Sequence, residues 1–274
     1  MSLTYPSHIY EAIREQVATS YLKHEFKKLL WRVPQEQWKT IDRDISDWMK
    51  CPELSNPRDF WNGFHGICMG FKLKIGLIYF VTAENVSWCR KEMPITDLWF
   101  GVDNFQQTKI IGEDKLSVRQ VLEFYTKSEN RRIRKEQLVF TLEKSRNTAP
   151  RDNYPIIVVQ KEKNQELIYS TYDGNRRLAK AVLEGSSKID TFVGSFTKGR
   201  KPTNYWVPTT ILMENLFFAR QAFERGDKEL FGKYMDVLQD MLSQSESARY
   251  ELKNRALTNQ QPFRSEVLKV LGLK

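Results

Sequence analysis

The chain has little of what would mark a metal centre, a secreted scaffold or a membrane span. Its 274 residues include only three cysteines, Cys51, Cys68 and Cys89, and no two of them form a C-x-x-C pair. An odd number of thiols without that spacing offers no zinc site. It fits a reducing compartment, where free cysteines pack as small apolar side chains. Long apolar runs are also missing. The longest, GFKLKIGLIYFV, carries Lys72 and Lys74 and is too short to span a bilayer. The opening MSLTYPSHIYEAIREQ has no basic segment followed by an apolar one, so no signal peptide is predicted. The expectation is a soluble cytoplasmic protein with no membrane partner. No internal repeat and no low-complexity tract occurs. One near match to a phosphate loop, GSFTKGRKPT, has Gly194 and Gly199 at the right spacing. Arg200 and Lys201 replace the required Lys and Ser/Thr, which rules it out.

What is present argues for a globular fold: 41% hydrophobic and 12% aromatic residues, enough for one large or two smaller cores. The net charge is +9 and is unevenly placed. From Lys127 to Lys201 there are 17 Lys and Arg against 9 Asp and Glu. A localised basic excess is the footprint of a polyanion binder, nucleic acid or nucleotide phosphate, and equally of a solvated basic face.

Three zones follow along the chain, at residues 1–94, 95–200 and 201–274. The first starts helical: Ser7 can cap a helix with Ile9, Ile13, Val17 and Tyr21 on one stripe, and a second begins at Pro34 with Trp38, Ile41, Ile45 and Trp48 in register. Alternation at Phe71, Leu73 and Ile75 predicts a strand running on through Leu77 to Val81. His65 has no acid or nucleophile to accompany it in the sequence and reads as structural. In the middle zone KLSVRQVLEFY and KEQLVFTLEKSR read as helices, and the loop NTAPRDN follows the second. YPIIVV and LIYSTY form a hairpin about the polar turn QKEKNQE, and KIDTFVG is a third strand. The last zone is helical, with Leu212, Leu216, Ala219 and Phe223 on one stripe and Gly226 as a stop before Leu230 to Leu242.

The chemistry concentrates in STYDGNRRLAKAVLEG, where an Asp-Gly turn and two arginines open a helix closed by Gly185. A helix N-terminus exposes unpaired N–H groups and the positive end of the dipole. Gly174 allows a tight turn and a close anion, and Asn175 can cap the helix. Arg176 and Arg177 sit where the dipole opposes them, at a cost of roughly a few tenths of a kcal/mol each. A bound phosphate would offset that cost. Asp173 either pairs with an arginine or holds a metal on the ligand.

The order of helix, loop, Pro-Ile-Val strand, hairpin and a strand closing on Asp-Gly-x-x-Arg before a helix resembles the ParB-like/sulfiredoxin-like domain. The likeness covers Leu138 to Gly194, with weaker support back to Leu98. It implies an α+β fold: a small mixed-sheet domain flanked by a mainly helical N-terminal region and a C-terminal helical bundle. It also implies a phosphate pocket at this helix N-terminus, with Arg177 on the shared arginine and Gly174 on the turn glycine. Lys144, Ser145 and Arg146 align with the helix end that faces the pocket, and Asp152 is a further candidate for metal or base. Asn175 stands where sulfiredoxins carry their reactive cysteine, which excludes peroxiredoxin repair for want of a thiolate. It also stands where partition proteins carry a glutamate, which argues against CTP hydrolysis while leaving nucleotide binding open. Histidine-based chemistry, found in the serine-kinase branch and many nuclease relatives, has no histidine here at Asn175 or Arg176.

The expectation is a nucleotide- or phosphate-binding module in DNA transactions of a plasmid, phage or defence locus, taking CTP or ATP with Mg2+, and open to homodimerisation. If it is an enzyme, the reaction is phosphoryl transfer or hydrolysis, or a ParB-like nuclease, with Asp173 as catalytic or metal-holding carboxylate. The alternative is a non-catalytic adaptor with a vestigial pocket. Sequence-specific DNA binding like that of the partition proteins lacks a recognisable helix-turn-helix.

Overall fold

The computed structural model describes residues 7–29, 34–51, 56–71, 73, 76–101, 117–126, 154–253, 257 and 261–273. The fold is α+β, and the chain divides into two compact units. One is Met1–Tyr10, Pro52–Asn85 and Pro202–Lys274; the other is Glu11–Cys51 and Val86–Lys201. The division is interleaved, unlike three successive zones, because residues 11–51 fold with the sheet and residues 52–85 fold with the C-terminal helices.

The sheet unit holds helices α1 (Ala12–Leu29) and α2 (Trp38–Met49), strands β1 (Val86–Pro94) and β2 (Leu98–Trp99), and helix α5 (Val118–Thr126). Strands β3 (Ile156–Lys163) and β4 (Glu166–Asp173), helix α6 (Asn175–Leu183) and strand β5 (Lys188–Phe196) complete it. The mixed sheet has the order β1-β5-β3-β4-β2. β5 runs antiparallel to β1 and parallel to β3, whereas β4 runs antiparallel to β3 and parallel to β2. The β3–β4 hairpin turns at Asn164 and Gln165, both at positive φ (49° and 66°), the conformation a tight two-residue hairpin needs. The strands therefore run further into QKEKNQE than a polar turn would allow.

Side-chain alternation divides the sheet's two faces. Ile156 and Val158 of β3 and Val193 of β5 join Leu178, Ala179, Ala181 and Val182 of α6 and Val118 and Val121 of α5 in one core. Ile157, Val159 and Phe192 point the other way and are equally buried. α1 is tied to the sheet at two corners. Arg14 Nη2 donates to the Val86 carbonyl at 2.7 Å, and Lys28 Nζ donates to Asp173 Oδ1 at 3.1 Å.

The helical unit contains α3 (Pro57–Gly70), α4 (Leu77–Val81), α7 (Thr209–Glu224), α8 (Lys228–Gln244), α9 (Glu246–Glu251) and α10 (Phe263–Val270). The strand expected through Leu77 to Val81 is instead α4. Leu77, Ile78 and Val81 are its buried residues, at helical spacing, and a five-residue apolar run has no period that separates the two states. His65 is buried in this unit, with one ring nitrogen, Nδ1, 2.8 Å from Thr210 Oγ1. Burial lowers its pKa, and the nearby Glu214 opposes that shift. No helix among the described residues is long and apolar enough to cross a membrane.

Candidate functional site

The Asp-Gly turn sits at the C-terminal end of β4. A bulge at Tyr172 separates the pairs Val158↔Thr171 and Ile157↔Asp173. Cross-strand partners share a face, so the extra residue moves Asp173 from the α6 side to the side of Ile157. There it meets the last turns of α1. Lys28 Nζ lies 3.1 Å from Oδ1, Arg177 Nη2 lies 2.9 Å from Oδ2, and His24 Nε2 is 3.9 Å from Oδ2. Asp173 is 7% exposed. Burial alone would raise its pKa. The charges of Lys28, His24 and Arg177, with the hydrogen bond from Lys28, outweigh burial and hold the carboxyl well below the usual range.

The same end of α1 carries further pairs. Lys28 also bonds Glu25. Lys27, 4% exposed, donates to Asp42 Oδ2 and to the Tyr154 hydroxyl, each at 3.1 Å, and its ammonium lies 4.4 Å from the Tyr154 ring centroid. Lys27 and Lys28 are in the last turn of α1, where the dipole favours cations. Arg177 donates to the carbonyls of Tyr154 and Pro155 as well as to Asp173. Three cations and three carboxylates thus balance: Lys27, Lys28 and Arg177 against Asp42, Glu25 and Asp173.

Of the two roles expected for Asp173, the structure has the ion pair with arginine. Its partner is Arg177, four residues on, and not Arg176, which is exposed and has no carboxylate partner among the described residues. Gly174 is required by the tight turn itself. Its φ is +100°, and a Cβ there would lie 2.5 Å from Ile156 Cγ2. Gly174, not Asn175, occupies the N-cap of α6, and no side chain caps it. Asn175 is the first helical residue, and its Oδ1 accepts from the Gly101 N–H at 2.9 Å. Gly101 is itself pressed against β4, since a Cβ would lie 2.1 Å from the Thr171 carbonyl oxygen. The Asn175 side chain therefore pins the backbone just after β2 onto the helix start.

His24, Glu25 and Asp173 each bring one ligand atom within 4.8 Å of the others. These residues do not fit a magnesium ion. The Lys28 ammonium already bridges the two carboxylates, and an imidazole nitrogen is a poor ligand for a hard cation. Lys144, Ser145, Arg146 and Asp152 lie outside the described residues.

Sequence reasoning missed the contribution of α1. Its signal was the run HEFKK, with His24 and Lys28 four residues apart on one helical face. A basic face normally reads as solvated, and nothing local marks it as facing an aspartate 145 residues away. No protein-family model matches the chain. No curated protein and no solved structure matches it either.

Proposed function

We propose that the sheet unit is a ParB-like phosphate-binding module that engages nucleic acid or a nucleotide through the exposed side of the α6 N-terminus. Arg176 makes the anion contact in this reading. Arg177 is a positioning residue, held by Asp173 and the carbonyls of Tyr154 and Pro155. The observation that carries it is the segregation of charge between the units. The sheet unit has 30 Lys and Arg against 22 Asp and Glu, whereas the helical unit has 13 against 12. Nearly the whole net charge of +9 therefore belongs to the unit that presents Arg176. A concentrated positive field attracts phosphate without sequence preference and raises encounter rates. Magnesium would arrive on the nucleotide's own phosphates, such as those of CTP or ATP, and not on Asp173. Binding, and not bond breaking, is the activity these residues support: the carboxylate a hydrolase would use is locked between two cations.

Fluorescence anisotropy with a labelled duplex, labelled CTP and labelled ATP tests this. Wild type should bind at least one probe at low salt. Arg176→Glu should weaken that binding about tenfold or more and, for the duplex, flatten the log affinity–log salt slope by roughly one. Thermal unfolding of the variant should match wild type, because the side chain is exposed. Failure of wild type to bind every probe, or equal affinities for both proteins, would dispose of the reading.

A second reading, a protein-interaction module, is favoured by a separate observation on the helical unit. Phe217 and Phe218 of α7 are 56% and 41% exposed. Turnover of nucleotide by pure protein would count against both readings.

A further inference from the structure

The helical unit leaves an apolar stripe open along α8. Leu230, Tyr234, Val237 and Met241 recur at helical spacing within an arc of about 60°. Leu230 and Val237 are exposed, whereas Tyr234 and Met241 are only partly covered by the unit's own core. Phe218 of α7 extends the stripe sideways, its ring stacked on Tyr234 at 6.1 Å. The fully buried residues of this helix are Met235, Leu238 and Leu242, with Phe231, Tyr234 and Met241 packed against the core in part. The apolar arc of α8 is therefore wider than its own unit fills.

We propose that this stripe is a twofold interface with a second copy of the chain, in which α8 packs antiparallel against its counterpart. Two features single out a second copy from other partners. The intervals along the stripe are four, three and four, a spacing that reads the same in both directions. Antiparallel pairing about its centre sets Leu230 opposite Met241 and Tyr234 opposite Val237, twice over, as an isologous contact requires. The second feature is charge. Lys233 and Asp240 both border the stripe, on the same flank of the helix. A twofold axis perpendicular to antiparallel helices keeps matching flanks on the same side. Each Lys233 then faces the other copy's Asp240 with an axial offset of about 3 Å, within reach of a lysine side chain. Lys233 now pairs with Glu229 at 2.7 Å and can bridge both carboxylates, since both side chains of that pair are largely exposed. Phe218 closes the opposite flank against the incoming helix.

Sedimentation or light scattering of the intact protein tests this against the 32.4 kDa chain mass. Wild type should have twice that mass at micromolar concentration. Val237→Glu, at a surface position, should fold with unchanged circular dichroism and weaken association at least about tenfold, by burying an unpaired charge. Lys233→Asp should also weaken it, and the exchange Lys233→Asp with Asp240→Lys should restore it, which a merely apolar contact would not do. A wild-type monomer at every concentration, a dimer indifferent to Val237→Glu, or no recovery in the charge exchange would overturn the proposal.

Discussion

Replacing Asp173 by Asn tests whether the motif's carboxylate holds the sheet unit together. The side chain keeps its shape, so no cavity forms, but Lys28 and Arg177 lose the charge between them. Removing one partner of a buried ion pair costs about 3–5 kcal/mol. Asp173 is buried, while the side chains of Lys28 and Arg177 retain 27% and 17% of their exposure and so keep some water. The low end of the range applies, about 3 kcal/mol, or roughly 150-fold in the folding equilibrium. Tryptophans occur in both units, so the readout should be local: hydrogen exchange of peptides from β3, β4 and the end of α1 across a urea series. Because the native carboxyl is held far below its ordinary value, its contribution is complete above the unfolded pKa of about 3.9. It is lost as the pH falls below that toward the native value. The gap between wild type and Asp173→Asn should therefore be widest from neutrality down to about pH 4 and should narrow in stronger acid. Adding Lys28→Met should recover part of the loss, with a coupling of at least about 1 kcal/mol. A variant within about 0.5 kcal/mol of wild type at pH 7 would refute the argument and return Asp173 to the pool of ligand-facing residues.

Two glycines give opposite expectations. Gly174→Ala should destabilise the sheet unit by roughly 2–4 kcal/mol, since a left-handed φ and a clash with Ile156 act together. Urea unfolding should show the loss, and Ile156→Ala should relieve only the steric part. Gly232→Ala should stabilise the helical unit by about 0.5–1 kcal/mol. It lies inside α8, and a Cβ there meets nothing within 4 Å, so a higher melting temperature is the readout.

The elements whose local chemistry agreed with their packing were legible. α6 ends where Gly185 takes φ +71°, and α7 ends just before Gly226 at +70°, each glycine serving as the left-handed stop that the sequence suggested. α5, β3, β4 and β5 also lie where β-branching and helical spacing put them. β1 escaped notice. It is an edge strand whose buried positions are only Val86, Trp88 and Met93, and the charged run between them hides any alternation. The grouping of α1 with the sheet was hidden for another reason: it depends on Lys28 and Arg14 finding partners far along the chain, which no window of sequence contains.

The two arginines of the motif have different surroundings, and helical geometry explains why. Adjacent residues on a helix point about 100° apart, and here Arg177 turns to Asp173 while Arg176 stays exposed. Asp173 lies four residues before Arg177, the spacing of an ion pair along a helix, and just behind the N-cap where a carboxylate also meets the dipole favourably. The sequence therefore contained its own counterion for the second arginine. In the proposed reading, what remains for an external phosphate is one guanidinium, on a unit with 30 Lys and Arg against 22 Asp and Glu. A single arginine in a first helical turn is a weak clamp by itself. Under the proposed function, affinity would therefore have to come from many distributed cations acting together, and it should be steeply dependent on salt and tolerant of sequence.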